Sequence, residues 1–69
     1  MIENSKKVFE ILGVKPYEKF NIRGIDGVIF YFDENLMGYA VVNGISDFCH
    51  DLIVFIISND YEIVKLPKA

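Results

Sequence analysis

The chain has 69 residues, a net charge of −3, one cysteine and a hydrophobic content of 52%. A chain of this length forms one core, so residues 1–69 are expected to make a single domain, and the hydrophobic content excludes a disordered chain. One cysteine excludes an intramolecular disulfide and indicates a reducing compartment. A core this small cannot hold every apolar side chain, so we expect a homo-oligomer, most simply a dimer, to cover the remainder.

Charge is distributed unevenly along the sequence. Residues 1–25 carry five basic and three acidic side chains, whereas residues 26–64 carry seven acidic side chains and no lysine or arginine. Phosphate binding needs basic side chains, so a nucleic-acid partner is not expected. The longest apolar run, residues 52–57, is far shorter than the roughly 20 residues that cross a membrane, and the N-terminus lacks a signal-peptide core. We therefore expect no membrane partner and a cytoplasmic location.

The first predicted element is a helix over residues 5–12. Ser5 is a suitable N-cap, Gly13 suits the left-handed position that follows a helix, and Pro16 prevents continuation. The apolar face of this helix is expected to comprise Val8, Phe9, Ile11 and Leu12.

Three strands are predicted next, over residues 18–23, 28–32 and 37–42, with turns over residues 24–27 and 33–36. In the second strand, alternation places Val28, Phe30 and Phe32 on one face, and Ile29 and Tyr31 on the other. Both faces are apolar or aromatic, so each is expected to be covered.

A second helix is predicted over residues 45–58, after Asn43-Gly44 and with Ser46 as its N-cap. A buried strand over residues 52–57 stays open as an alternative, because that run is continuous and β-branched. A last strand over residues 61–66 is closed by Pro67. The predicted fold class is α+β, a small antiparallel β-sheet of about four strands packed with two helices in the order α-β-β-β-α-β. The helical spacing in the second helix involves Ile45, Phe48, Cys49, Leu52, Ile53 and Ile56.

Cys49 and His50 are the residues with the most reactive side chains, but they are adjacent. Neighbours on a helix point about 100° apart, so the thiol and the imidazole would not share a proton. One cysteine and one histidine do not complete a zinc site. We therefore expect no catalytic residue, no metal, no cofactor and no enzymatic activity, with Cys49 in the core and His50 at the surface.

The second helix also carries a candidate interface. Val54 and Ile57 fall on its otherwise polar side, and Phe55 lies at the border. A contiguous exposed apolar patch of this kind marks an interaction site. With His50, these three residues form the predicted interface, and the alternative left open is a helix that is buried on more sides.

The two ends of the chain carry the motifs VFEILGVKP, at residues 8–16, and YEIVKLP, at residues 61–67. In these motifs the chain resembles small phage- and prophage-encoded proteins of Gram-positive bacteria, although Asn59-Asp60 stands where those proteins often have glycine. The resemblance implies a phage-encoded accessory protein in the host cytoplasm. We expect such a protein to act by binding a host or phage protein, and inhibition of a host defence system is one such role. It supplies no site residues. The alternatives are a structural or assembly component of the phage and an oligomer that sequesters a small ligand.

Overall fold

Five strands form one antiparallel sheet in the computed structural model, which describes residues 3–66 and the side chains from Ser5 onward. The strand order is β4-β3-β2-β1-β5. The α+β class is confirmed, with one strand more than the predicted order contains. Pro67, predicted to close the last strand, lies outside the described residues. The elements are α1 (Glu3–Leu12), β1 (Phe20–Ile22), β2 (Ile25–Phe32), β3 (Gly38–Val42), β4 (Ile45–Phe48), α2 (Leu52–Ser58) and β5 (Ile63–Lys65).

Both helices pack on the same face of the sheet. Phe30 pairs with Phe20 and with Ala40 across three strands, so their side chains share one face. The ring of Phe9 from α1 meets Phe32 edge to face at 6.3 Å. The core between sheet and helices comprises Phe9, Val14, Phe20, Ile22, Phe30, Phe32, Leu52 and Ile56.

The strand β4 occupies residues that were predicted to start the second helix, so that part of the prediction is wrong. Asn43 and Gly44 have φ values of 53° and 79°, as a two-residue type I′ turn requires. Val42 pairs with Ile45 directly across this turn. An Asn-Gly pair between β-branched residues is a strong hairpin signal, and it outweighs the helical spacing that follows it.

The helix α2 begins at Leu52, after Asp51 in the left-handed region with φ 57°. Ser46 is therefore a strand residue and not an N-cap, and the strand alternative for residues 52–57 is excluded. Leu52 and Ile56, one turn apart, are the buried residues of this helix. The helical spacing predicted for these two residues is confirmed.

The helix α1 differs from its prediction in its start and in its buried face. It begins at Glu3, so Ser5 lies inside the helix, where it is buried, and is not the N-cap. Phe9 is buried, but Ile11 is 84% exposed, because α1 is rotated to direct Phe9 onto Phe32. Gly13 ends the helix as predicted, with φ 79° and its amide donating to the Phe9 carbonyl at 2.9 Å.

Candidate binding face

The face of the sheet opposite the helices carries five rings in succession, which we call the aromatic row: Tyr17, Tyr31, Tyr39, Phe48 and His50. Tyr31 and Tyr39 are stacked, with centroids 5.0 Å apart and planes 13° apart. The ring centroids of Tyr17 and Tyr31 are 6.4 Å apart. Those of Phe48 and Tyr39 are 5.9 Å apart, in an edge-to-face arrangement. His50 continues the row, with its ring centroid 5.8 Å from that of Phe48. The rings thus cross the sheet from the loop before β1 to the edge strand β4.

Strand register places the three central rings in line. Tyr31 of β2 is directly opposite Tyr39 of β3, and Tyr39 is directly opposite Phe48 of β4. Residues directly opposite in an antiparallel sheet lie on the same face, so the row follows from the two hairpins. Tyr17 reaches the row from a loop, where it has φ 64° and its amide donates to the Phe32 carbonyl at 2.7 Å.

Hydrogen bonds at the rim hold two of the tyrosines. The Tyr31 hydroxyl and the Ser46 hydroxyl are 2.8 Å apart, and the Tyr39 hydroxyl donates to Asp33 Oδ2 at 3.1 Å. The other oxygen of Asp33 accepts the amides of Asn35 and Met37, which fixes the carboxylate. The hydrogen bond to Asp33, with a smaller contribution from burial, raises the pKa of Tyr39 above its ordinary value. These rings are therefore held in place before any ligand binds.

The row is open to solvent. The side chains of Tyr17 and Phe48 are more than half exposed, and Tyr31 and Tyr39 are half-buried by their neighbours in the row. No helix of the described chain lies on this face, so the helices cover only one of the two faces that were expected to be covered, and a partner for the other face stays a prediction. Beside the row is a shallow hollow of about 330 Å³, lined by Tyr17, Lys19, Tyr31, Val41, Gly44 and Ser46.

Charge differs between the two ends of the row. Lys19 lies at the Tyr17 end, in the lining of the hollow. Asp33 contacts Tyr39 at the centre of the row, and at the other end Asp51 Oδ2 lies 3.3 Å from His50 Nε2. Residues 26–64 contain no lysine or arginine. The end of the row near β4 therefore has an acidic surround.

The structure divides the predicted interface residues between two surfaces. The ring of His50 lies tilted beside that of Phe48, so His50 belongs to the aromatic row. Val54 and Ile57 lie on α2 and are 55% and 65% exposed. Phe55 is partly exposed and packs against Tyr61, with the two ring centroids 5.0 Å apart. The prediction that these helix residues reach the surface is confirmed, but His50 is placed with a different set of side chains.

Cys49 and His50 are not arranged as a reactive pair. The thiol of Cys49 is half-buried against the core, where desolvation raises its pKa and disfavours the nucleophilic thiolate. The imidazole of His50 is directed to Phe48. Within residues 3–66, no group of three or more histidine, cysteine or acidic side chains has a geometry that could hold a metal ion.

The sequence prediction did not identify the aromatic row as a site. Phe48 was placed on a helix, and Tyr39 was not connected to it. The Asn43-Gly44 pair is the sequence signal that predicts this arrangement, because a two-residue turn there fixes the strand register and brings Tyr39 opposite Phe48.

The sequence matches no protein-family model, and comparisons with curated proteins and with solved structures give no significant match. Among the described helices, none has the length and apolar character needed to span a bilayer. The fold and the face together define an antiparallel α+β domain with an open aromatic sheet face.

Proposed function

We propose that this protein is a non-enzymatic binding protein that recognises another protein through the aromatic row. The observation that carries the proposal is the set of aligned rings from Tyr17 to His50 on an uncovered sheet face. Monomeric proteins rarely expose contiguous apolar surface without a role in interaction. Aromatic side chains are also enriched in protein interfaces, because they bury large areas while few rotatable bonds become ordered.

The charge around the row supports a protein partner over a nucleic acid. Bases also stack on aromatic sheet faces, but such sites combine the rings with a basic groove for the phosphates. Here Lys19 is the basic residue in the hollow, and the surround of Phe48 is acidic. The motifs at residues 8–16 and 61–67 support a setting in the bacterial cytoplasm, where a host protein, including a defence protein, is the proposed target.

A second observation supports a homodimer. Val54 and Ile57 expose aliphatic side chains on α2, and Ile11 exposes another on α1. Between the two helices is a shallow groove of about 300 Å³, whose lining includes Ile11, Ile56 and Ile57. A two-fold contact through α2 would cover these side chains, which lie on the opposite side of the sheet from the row. The dimer would therefore leave the row free for the target.

Affinity capture with matched variants tests the proposed function. Tagged protein is incubated with lysate of a Gram-positive bacterium, before and after phage induction, and captured proteins are identified by mass spectrometry. Tyr39→Ala with Phe48→Ala removes the centre of the row, and Ile11→Ala is the control because it removes an exposed side chain elsewhere. We expect a specific captured protein that is lost with the row variant and retained with the control. Equal capture by all three proteins would contradict the proposal, and capture of virion proteins would favour an assembly role.

A further inference from the structure

The outer edge of β4 continues the aromatic row and has its own unsatisfied backbone groups. All four residues of β4 are exposed, and within residues 3–66 the strand order leaves one side of β4 without a neighbouring strand. The Cys49 amide donates to the Gly38 carbonyl at 2.8 Å, so these two residues form a hydrogen-bonded pair. Bonded and non-bonded pairs alternate in an antiparallel ladder. The N–H and C=O groups of Ser46 and Phe48 therefore point away from β3, toward the open edge.

We propose that this edge binds an extended segment of the partner that carries adjacent basic residues and that adds to the sheet beside β4. This inference rests on the proposed function and names the chemistry of the partner. Main-chain hydrogen bonds to Ser46 and Phe48 align the added strand. An arginine opposite Phe48 lies over its exposed ring, which attracts cations. The next residue of the segment lies opposite Asp47, on the other face of the sheet, and its positive charge pairs with that carboxylate.

The charges around this edge select a basic segment. Asp47 is part of β4, Asp51 lies beside His50, and Asp33 is bonded to Tyr39. Each of these carboxylates is next to the row or the edge, and none has a lysine or arginine within its own stretch of chain, residues 26–64. A basic partner supplies the missing positive charge, and an acidic partner is repelled.

A second copy of the chain is a poorer occupant of this edge. A two-fold pairing of β4 centred on Asp47 places the two carboxylates directly opposite each other. A pairing centred on Ser46 places Asp47 opposite Ile45, again without a counter-charge. The opposite edge of the sheet is also a poorer site, because the short strand β5 ends in Lys65, and edge lysines disfavour strand addition.

Titration with defined peptides tests the proposal. The probe is a peptide of about ten residues with an Arg-Arg pair flanked by valine and threonine, and the matched peptide has Glu-Glu. We expect the Arg-Arg peptide to bind at least about tenfold more tightly, with slowed hydrogen exchange at the amides of Ser46 and Phe48. Asp47→Lys is expected to reverse the preference between the two peptides. Equal binding of both peptides, or no binding, would overturn the proposal.

Variants at Ser46 separate strand addition from loss of a side chain. Ser46→Pro removes an outward amide without removing a bond to β3, whereas Ser46→Ala removes only the hydroxyl that contacts Tyr31. Binding should be lost with Ser46→Pro and weakened much less with Ser46→Ala, which loses only the contact with Tyr31, and circular dichroism confirms that both variants fold. Binding that survives in Ser46→Pro contradicts edge addition.

Two further measurements test the other molecules that could bind this edge, a nucleic acid and a second copy of the chain. Tighter binding of a single-stranded oligonucleotide than of the Arg-Arg peptide, or self-association abolished by Ser46→Pro, would overturn the basic-segment proposal. If the peptides fail while affinity capture still depends on Tyr39 and Phe48, the proposed function stands and only the assigned partner chemistry falls.

Discussion

Gly38 of β3 lies directly beneath Leu52 of α2, so close that a methyl group at position 38 would overlap Leu52 Cβ. The added carbon would also lie 2.8 Å from Leu52 Cδ2 and 3.1 Å from the Cys49 carbonyl oxygen. This contact fixes α2 on β3, on the opposite face of the sheet from Tyr39, the next residue of the strand. Gly38→Ala is expected to destabilise the fold by about 1–3 kcal/mol, because the helix must move away from the sheet. Chemical denaturation measures the loss, with Val42→Ala at the exposed end of β3 as the control.

Truncation of Leu52 is expected to destabilise the fold more than truncation of an exposed side chain of α2. Leu52 is 1% exposed, whereas Val54 on the same helix is exposed. Leu52→Ala should reduce the free energy of unfolding by about 2–5 kcal/mol, which is most of what a core of this size supplies. Val54→Ala, the matched control, should change it by less than about 0.5 kcal/mol. Equal melting temperatures for the two variants would contradict the described helix orientation.

The hydrogen bond between Tyr39 and Asp33 can be tested by titrating the Tyr39 phenol. The hydrogen bond raises the pKa of the Tyr39 phenol above its ordinary value of 10.0, so Asp33→Asn should lower that pKa. Ultraviolet absorbance of tyrosinate follows the change, and Tyr39→Phe identifies the contribution of Tyr39 among the four tyrosines. Glu34→Gln is the control, because it removes a neighbouring charge without removing the bonded carboxylate. A tyrosine titration unchanged by Asp33→Asn would contradict the contact.

The same contact makes stability depend on alkaline pH. Above pH 10 the unfolded chain loses the Tyr39 proton at its ordinary pKa, while the folded chain retains it. The contribution of Tyr39 to stability is therefore complete below pH 10 and is lost as the pH rises through the raised pKa. The difference in melting temperature between the parent and Tyr39→Phe should shrink across that range. A constant difference would show that the folded and unfolded phenols titrate alike.

The proposed dimer is tested by charge at the exposed side of α2. Val54 and Ile57 tolerate polar replacement in the monomer because both are exposed. Light scattering after size exclusion should give a dimer mass for the parent at micromolar concentration, and a monomer mass for the double variant Val54→Asp, Ile57→Asp. A parent that is monomeric at high concentration contradicts the dimer. A double variant that is folded and still dimeric places the contact elsewhere.

The sequence predicts the fold class and the second helix well, because Leu52 and Ile56 recur with helical spacing and the strand residues around Phe30 and Phe32 alternate. It predicts the start of that helix poorly. The spacing from Ile45 to Leu52 is helical, but Asn43 and Gly44 take the positive φ values of a tight turn, and the chain pairs with β3 instead. Helical spacing is a local pattern and carries no information on pairing between distant strands, which is why Phe48 was assigned to the second helix.

The aromatic row depends on the same pairing and was missed for the same reason. Tyr17, Tyr31, Tyr39 and Phe48 are far apart in sequence and have no shared local motif. The turn at Asn43-Gly44 and the register of β2 with β3 bring three of them together, and the loop at Tyr17 adds the fourth. By contrast, the exposure of Val54 and Ile57 was predictable, since it follows from the rotation of a single helix.

We expect the target to contact the sheet face at Phe48. A photo-cross-linking benzoylphenylalanine is placed at position 48 and, in a matched protein, at position 11, which is exposed on α1. Both proteins are irradiated in bacterial cells and the adducts are separated by mass. We predict a covalent adduct with one target protein from position 48 and no such adduct from position 11. An adduct with the same target from position 11, with none from position 48, would contradict the assignment of the aromatic row as the binding face.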